Sequence, residues 1–228
     1  LRKEFGQATF FTATDGNHGR GVAWAANHLG QKAVVHMPKG TTQTRLQNIA
    51  KEGSQVDIQE LNYDDCVRLA AKEADETPRG VIVQDTAWDG YEEIPAWIMQ
   101  GYGTMAMEAG EQLKAQGCER PTHIFVQAGV GSLAGAVVGY FSNLYADNLP
   151  TFVVVEAEAA ACLYKGAAAG ESGAAPFGAL AAMMTMDEYK DLRNDIGLDE
   201  NSKVLLFSTE GDTDPDRYKN IVWKGLDK

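Results

Sequence analysis

Four short stretches of this 228-residue chain carry side chains that can do chemistry. In Thr12-Ala13-Thr14-Asp15-Gly16-Asn17-His18-Gly19-Arg20-Gly21, a carboxylate and an amide flank one glycine. Asp15 is a candidate base there, and Asn17 a candidate donor at the same spot. Gly129-Val130-Gly131-Ser132-Leu133-Ala134-Gly135 is a glycine-rich turn that opens an apolar run. Backbone N–H groups at the start of a helix bind anions, aided by about half a unit of positive dipole charge, so this turn is a candidate phosphate cradle. Val83-Gln84-Asp85-Thr86-Ala87-Trp88 sets a carboxylate just past an apolar strand, and Ser208-Thr209-Glu210-Gly211-Asp212-Thr213-Asp214 sets two hydroxyls beside an acidic turn.

Each stretch also has a plainer reading. Gly16, Gly19 and Gly21 can serve only to pack a strand against a helix. The Gly129 turn, followed by Val153-Val154-Val155-Glu156, comes close to a dinucleotide fingerprint. Its glycines are spaced one residue off, and Glu156 lies 27 positions after Gly129, where about 20 is usual. Phosphate binding, dinucleotide binding and simple packing all remain open on these residues alone. Asp85 in isolation reads as an exposed acid or a helix cap. Glu210, Asp212 and Asp214 suggest a hard-metal site or a solvated turn, and the solvated turn is the reading adopted. The spacing of His18, His28, His36 and His123 does not argue for a metal, and none is expected.

The elements that must position these residues alternate along the chain. Strands are expected near 8–12, 33–37, 56–61 and 80–85, with helices near 19–29 and 42–51 and one capped by Asp64. Strand, helix and strand in alternation predict a parallel sheet. Tyr91 to Lys114 is largely helical in pattern, with its Met and aromatic stripe (Trp97, Ile98, Met105, Met107) expected in the core. Strands near 124–126, 151–156 and 204–208, with helices after Gly131 and from Glu171 to Met184, complete a second unit. The fold class is α/β: two open, twisted, mostly parallel sheets flanked by helices. The expected domains are 8–100, carrying the Asn17 loop, and 101–228, carrying the phosphate turn.

Composition bounds the partners. Hydrophobic residues make up 44% and charged ones 23%, and the net charge is −12. That balance is globular, and its sign argues against nucleic acid and anionic membrane surfaces. No apolar run approaches the roughly 20 residues of a membrane span. The three cysteines, Cys66, Cys118 and Cys162, are widely spaced and form neither a disulfide framework nor a zinc pattern, which suits a reducing cytoplasm. The joint Tyr164-Lys165-Gly166-Ala167-Ala168-Ala169-Gly170-Glu171 has no turn logic or amphipathic pattern of its own.

Thr14-Asp15-Gly16-Asn17-His18-Gly19 resembles the S-x-G-N-H-G asparagine loop of the fold-type II pyridoxal phosphate enzymes. With aspartate in its second position it is similar to the diaminopropionate ammonia-lyase branch, whose pattern also resembles Gln84-Asp85-Thr86-Ala87-Trp88-Asp89-Gly90-Tyr91 and Ile94-Pro95-Ala96-Trp97 through Tyr102. The resemblance implies a tryptophan synthase β-like fold and a homodimer. It implies pyridoxal 5'-phosphate as cofactor and α,β-elimination of the small amino acid 2,3-diaminopropionate to pyruvate and ammonia. Asn17 would contact the 3'-hydroxyl of the cofactor ring, and Asp15 and Asp85 would be acid–base groups. Gly129, Val130, Gly131 and Ser132 would grip the phosphate, with Ser208 first and Thr209 second as the hydroxyl against the pyridine nitrogen. A serine or threonine dehydratase and a non-catalytic nucleotide-binding module are the rival readings. The family's Schiff-base lysine lies upstream of the asparagine loop; Lys3 alone precedes that loop and its surroundings do not match, so no lysine is assigned. In the family a long region separates the stretches on either side of the Ala-Gly joint, so the chain is expected to be incomplete, with a segment missing near 166–171.

Overall fold

The computed structural model describes residues 2–14, 16–156, 171–211 and 215. Asp15, Asp212, Asp214 and the Ala-Gly joint through residue 170 lie outside the described residues. The chain divides into two compact units, residues 1–95 and 96–228.

The first unit begins with a four-residue helix, α1 (Arg2–Phe5), followed by β1 (Thr9–Ala13), α2 (Asn17–His28), β2 (Lys32–Met37), α3 (Gln43–Ala50), β3 (Gln55–Ile58), α4 (Tyr63–Glu76) and β4 (Gly80–Ile82). The strands form one parallel sheet in the order β3-β2-β1-β4. Successive residues of a strand face opposite sides, and the register shows the division. Val35 and Met37 pack with Ala23 of α2 and Ile49 of α3 on one face. Phe11 and Val34, paired in register, pack with Ala70 and Ala74 of α4 on the other. His36 shares that second face. It is buried, and its ring nitrogens meet Asp57 of β3 at 2.8 Å and Glu73 of α4 at 3.0 Å, which satisfies a polar residue inside the strand.

In the second unit, α5 (Glu93–Ala115, which starts just before the division) leads to β5 (His123–Gln127), α6 (Ser132–Leu144) and β6 (Thr151–Val155). Beyond the joint come α7 (Glu171–Thr185), a 3-10 turn at Asp187–Tyr189, α8 (Lys190–Asp195) and β7 (Val204–Leu206). The sheet is parallel, in the order β6-β5-β7. Central strand β5 is buried along its whole length. Ile124 and Val126 pack with Ala106 of α5 and with Val137 and Phe141 of α6. Phe125 faces the other way, towards Ala175 and Met183 of α7.

Three local expectations need correction. The N-cap of α4 is Asn62, whose side chain accepts from Asp65 N–H; Asp64 sits inside the first turn, where its charge still favours the helix dipole. The Met and aromatic stripe of α5 is only partly core, because Met105 packs inward while Trp97 and Met107 are exposed. Strands β3, β4 and β7 stop at Ile58, Ile82 and Leu206, earlier than the apolar runs suggest. No helix among the described residues is long and apolar enough to cross a membrane.

Candidate active site

In both sheets the chemistry-bearing loops follow two neighbouring strands that are not consecutive in the chain. From β1 the chain crosses to β2 on one side, while β4 lies against β1 on the other. From β5 it crosses to β6, while β7 lies on the far side. Such switch points open a crevice at the strand carboxyl ends, where open α/β sheets hold ligands. The Asn17 and Asp85 loops follow β1 and β4, and the Gly129 and Ser208 loops follow β5 and β7.

In the first unit, Gly16 and Asn17 open α2, and Asn17 is exposed at its first turn. The three glycines divide by role. A Cβ on Gly19 would fall 2.1 Å from Thr14 Cγ2 and 3.0 Å from Val35 Cγ1, whereas at Gly16 and Gly21 it would meet nothing within 4 Å among the described residues. Packing therefore requires only Gly19, and Gly16 lies where the backbone can be approached by a ligand. Gly19→Ala is expected to destabilise the protein by about 1–3 kcal/mol through overpacking. Gly16→Ala, facing open space, is expected to change stability far less. Urea unfolding of the two variants checks this; equal losses would show that the spacing of the loop, and not the Gly19 contact, sets the effect.

Asp85 is held by a network that its neighbours in sequence do not reveal. Gln84 beside it is fully buried. Its Oε1 accepts from Thr12 Oγ1 at 2.9 Å and from Ala13 N–H at 3.0 Å. Its amide protons are shared among Ala13 O at 3.1 Å, Tyr63 Oη at 2.8 Å and Asp85 Oδ1 at 3.1 Å. One side chain thus ties the end of β1 to the Asp85 loop and orients the carboxylate. Tyr91 reinforces that loop: its hydroxyl accepts from Gln84 N–H at 2.7 Å and reaches the carbonyls of Ile82 and Gln84 at 3.1 and 3.2 Å. Burial pushes the Tyr91 phenol up; the Gln84 N–H bond opposes that, and the Asp85 charge adds to it. The hydroxyl therefore stays neutral beside the carboxylate.

His18 completes the surround. Its Nε2 lies 2.9 Å from Val83 O and 3.0 Å from Thr12 Oγ1. A carbonyl can only accept, so Nε2 carries the proton, and Nδ1 faces Asp85 Oδ2 at 3.9 Å. The ring bridges the ends of β1 and β4 and so props the turn between them. The Asp85 side chain is only 13% exposed. A cavity of about 400 Å³ lies between α4 and the loop after β4, lined among others by Tyr63, Asp64, Arg68, Thr86 and Trp88; Asp85 is not one of its lining residues. Gln84, Tyr63 and Tyr91 were not singled out from sequence; the one available signal was the position of Gln84 between an apolar strand and a carboxylate.

In the second unit, Gly131 is the N-cap of α6, with φ of 95°. That left-handed backbone favours glycine, and no side chain among the described residues caps the helix. A Cβ on Gly129 or Gly131 would meet nothing within 4 Å among the described residues. Val130 is exposed and Ser132 is buried at the first helical position. The first N–H groups of a 13-residue helix thus stand at an open, glycine-lined edge, suited to an anion. Beyond β7, Ser208 is exposed, with its hydroxyl 3.5 Å from Glu210 O. Thr209 is half-buried and accepts from Gln127 Nε2 at 2.8 Å. Gln127 Oε1 is buried with no partner among the described residues. Among those residues no group of three His, Cys, Asp or Glu side chains could hold a metal ion.

The chain is similar to known proteins. Residues 1–202 match the family model described as pyridoxal-phosphate dependent enzyme. The chain is 42% identical to the diaminopropionate ammonia-lyase of Salmonella typhimurium, with 99% of this chain and 72% of that protein covered. That match runs over 292 residues against 228 in the whole chain, so the relative has internal residues with no counterpart here. The Escherichia coli diaminopropionate ammonia lyase in apo form superposes with a TM-score of 0.88 at 41% identity, covering 97% of this chain and 69% of that one. The same enzyme in complex with an aminoacrylate-PLP azomethine reaction intermediate gives 0.86 at 37% identity, covering 96% and 72%.

Proposed function

We propose a function from one premise: the chain belongs to the pyridoxal-phosphate dependent enzyme family, in its diaminopropionate ammonia-lyase branch. It is a pyridoxal phosphate-dependent lyase that acts on 2,3-diaminopropionate. The β-amino group leaves as ammonia, and hydrolysis of what remains releases pyruvate and a second ammonia. The described residues fit the cofactor's phosphate and ring nitrogen, while no lysine of this chain is assigned to its aldehyde. Uncapped N–H groups and open glycines at the start of α6 suit its phosphate, and the Thr209 hydroxyl with its Gln127 donor suits a ring nitrogen.

Bound there, the cofactor supplies an electron sink for the charge that develops at the substrate Cα. The chain's own residues do the rest. Gly129, Val130, Gly131 and Ser132 hold the phosphate, Asn17 the ring hydroxyl, and Ser208 or Thr209 the ring nitrogen. Asp85 takes a proton from Cα at a carboxylate oxygen, and a carboxyl so loaded can return it to a departing amine. Asp15 is the second base. The observation that carries this reading is the Asp85 surround: a nearly buried carboxylate, oriented by Gln84 and facing His18, at a sheet switch point. Our reading puts the residues that the longer relatives carry and this chain lacks at the joint near 166–171. We also read the protein as a cytoplasmic homodimer; the free thiols of Cys66 and Cys118 suit a reducing compartment.

A substrate panel tests the function. Pyruvate should form fastest from 2,3-diaminopropionate, with two ammonia per pyruvate, measured in a coupled reduction of pyruvate and an ammonia assay. Faster release of one ammonia per oxo-acid from serine or threonine would favour the dehydratase reading.

A further inference from the structure

Gln127 is a buried polar residue whose place in the fold the core does not explain. It ends β5 and is 6% exposed, following three fully buried apolar residues, Ile124, Phe125 and Val126. Its Nε2 donates to Thr209 Oγ1 at 2.8 Å, across from β5 to the loop after β7. Its Oε1 is left without a partner among the described residues, which is costly for a buried acceptor. An apolar residue would end this strand without that cost.

We infer that Gln127 is a positioning residue: by donating to the Thr209 oxygen, it leaves the Thr209 hydroxyl proton for the ring nitrogen of pyridoxal phosphate. The inference rests on the reading that this edge holds the cofactor. A hydroxyl has one proton, and an oxygen that already accepts from an amide directs that proton to a different acceptor. An unprotonated pyridine nitrogen offers a lone pair and no proton, so only a donor suits it. If Thr209 donated to Gln127 instead, it would face the ring with lone pairs, and the two groups would repel. Among the described residues Ser208 has no such device, being exposed and turned towards the Glu210 carbonyl. The neutral amide and hydroxyl therefore select Thr209 from the two candidates, and an uncharged ring nitrogen with it.

The test compares pyridoxal 5'-phosphate with its analogue in which C–H replaces the ring nitrogen. Dissociation constants are measured with the full chain by titration followed in ligand absorbance. The wild type should prefer the natural cofactor by about tenfold, as one hydrogen bond allows. Gln127→Met, close in size, and Thr209→Val should each bring that preference to about one, and the double variant should lose no more than either single one. Thr209→Ser and Ser208→Ala should keep it. A general loss of structure would weaken both ligands alike and leave their ratio unchanged, so the ratio reports positioning. Full preference in Gln127→Met overturns the inference, as does its loss in Ser208→Ala alone. Equal binding of both ligands by the wild type overturns it too, while leaving the cofactor reading intact. A wild type that binds neither ligand overturns the functional reading and this inference together.

Discussion

Asp85→Asn will slow turnover of one isomer of 2,3-diaminopropionate by roughly 10²–10⁴-fold, the worth of a positioned base, and will affect the other isomer far less. Asp15→Asn will do the same to the opposite isomer, and cofactor binding will survive in both. With its carboxylate and amino groups fixed, a substrate presents the Cα–H of its D and L forms to opposite faces. One base cannot reach both faces unless the substrate turns over. The resemblance gives the branch two aspartates, and in this chain Asp85 is held in one orientation by Gln84. An amide cannot take the proton but keeps the shape, so asparagine separates the chemistry from the packing. Steady-state rates on each pure isomer decide it. Equal losses on both isomers in both variants would leave the aspartates as shared electrostatic groups.

Gln84→Leu is expected to cost about 3 kcal/mol or more of stability, near the upper end for a point substitution. The substitution fills the space but leaves Ala13 N–H and C=O, both at a fully buried residue, and the Thr12 hydroxyl without their partner. Each buried group left unsatisfied costs about 1–3 kcal/mol. Activity should fall as well, because Asp85 loses the N–H that orients it. Urea unfolding measures the first effect and turnover of the folded fraction the second. A stability loss under about 1 kcal/mol would mean that water takes over the amide's bonds.

What the sequence made legible follows from the range of the interactions concerned. Gly16, Gly19, Asn17 and the Gly129 to Ser132 turn are local: spacing alone says that a strand ends and a helix begins there. The parallel order was legible for the same reason, because buried strands alternate with helices. Gln84 and Gln127 were not, since a glutamine ending an apolar strand has no pattern. Each acquires its role from a partner far along the chain, 71 or 72 residues away for Gln84 with Ala13 and Thr12, and 82 for Gln127 with Thr209. Asn62, Asp64 and Asp65 are all good capping residues, and only the backbone shows that Asn62 has the role. Trp97 and Met107 show the limit of helical period: it tells which residues share a face, not whether anything covers that face.

The switch-point topology also bears on the order in which the molecule acquires a working cleft during synthesis. In each sheet the crevice lies between the strand made first and the strand made last, β1 with β4 and β5 with β7. Thr9 pairs with Gly80, and His123 with Val204. Closing a loop of that length costs more chain entropy than any neighbouring pairing in the same sheet, and contacts so distant form late. A nascent chain leaving the ribosome therefore has its glycine turns well before it has their opposite walls. Cofactor capture is deferred until the final strand of each sheet docks, so a chain interrupted before Gly80 or Val204 carries recognisable motifs with no cleft around them.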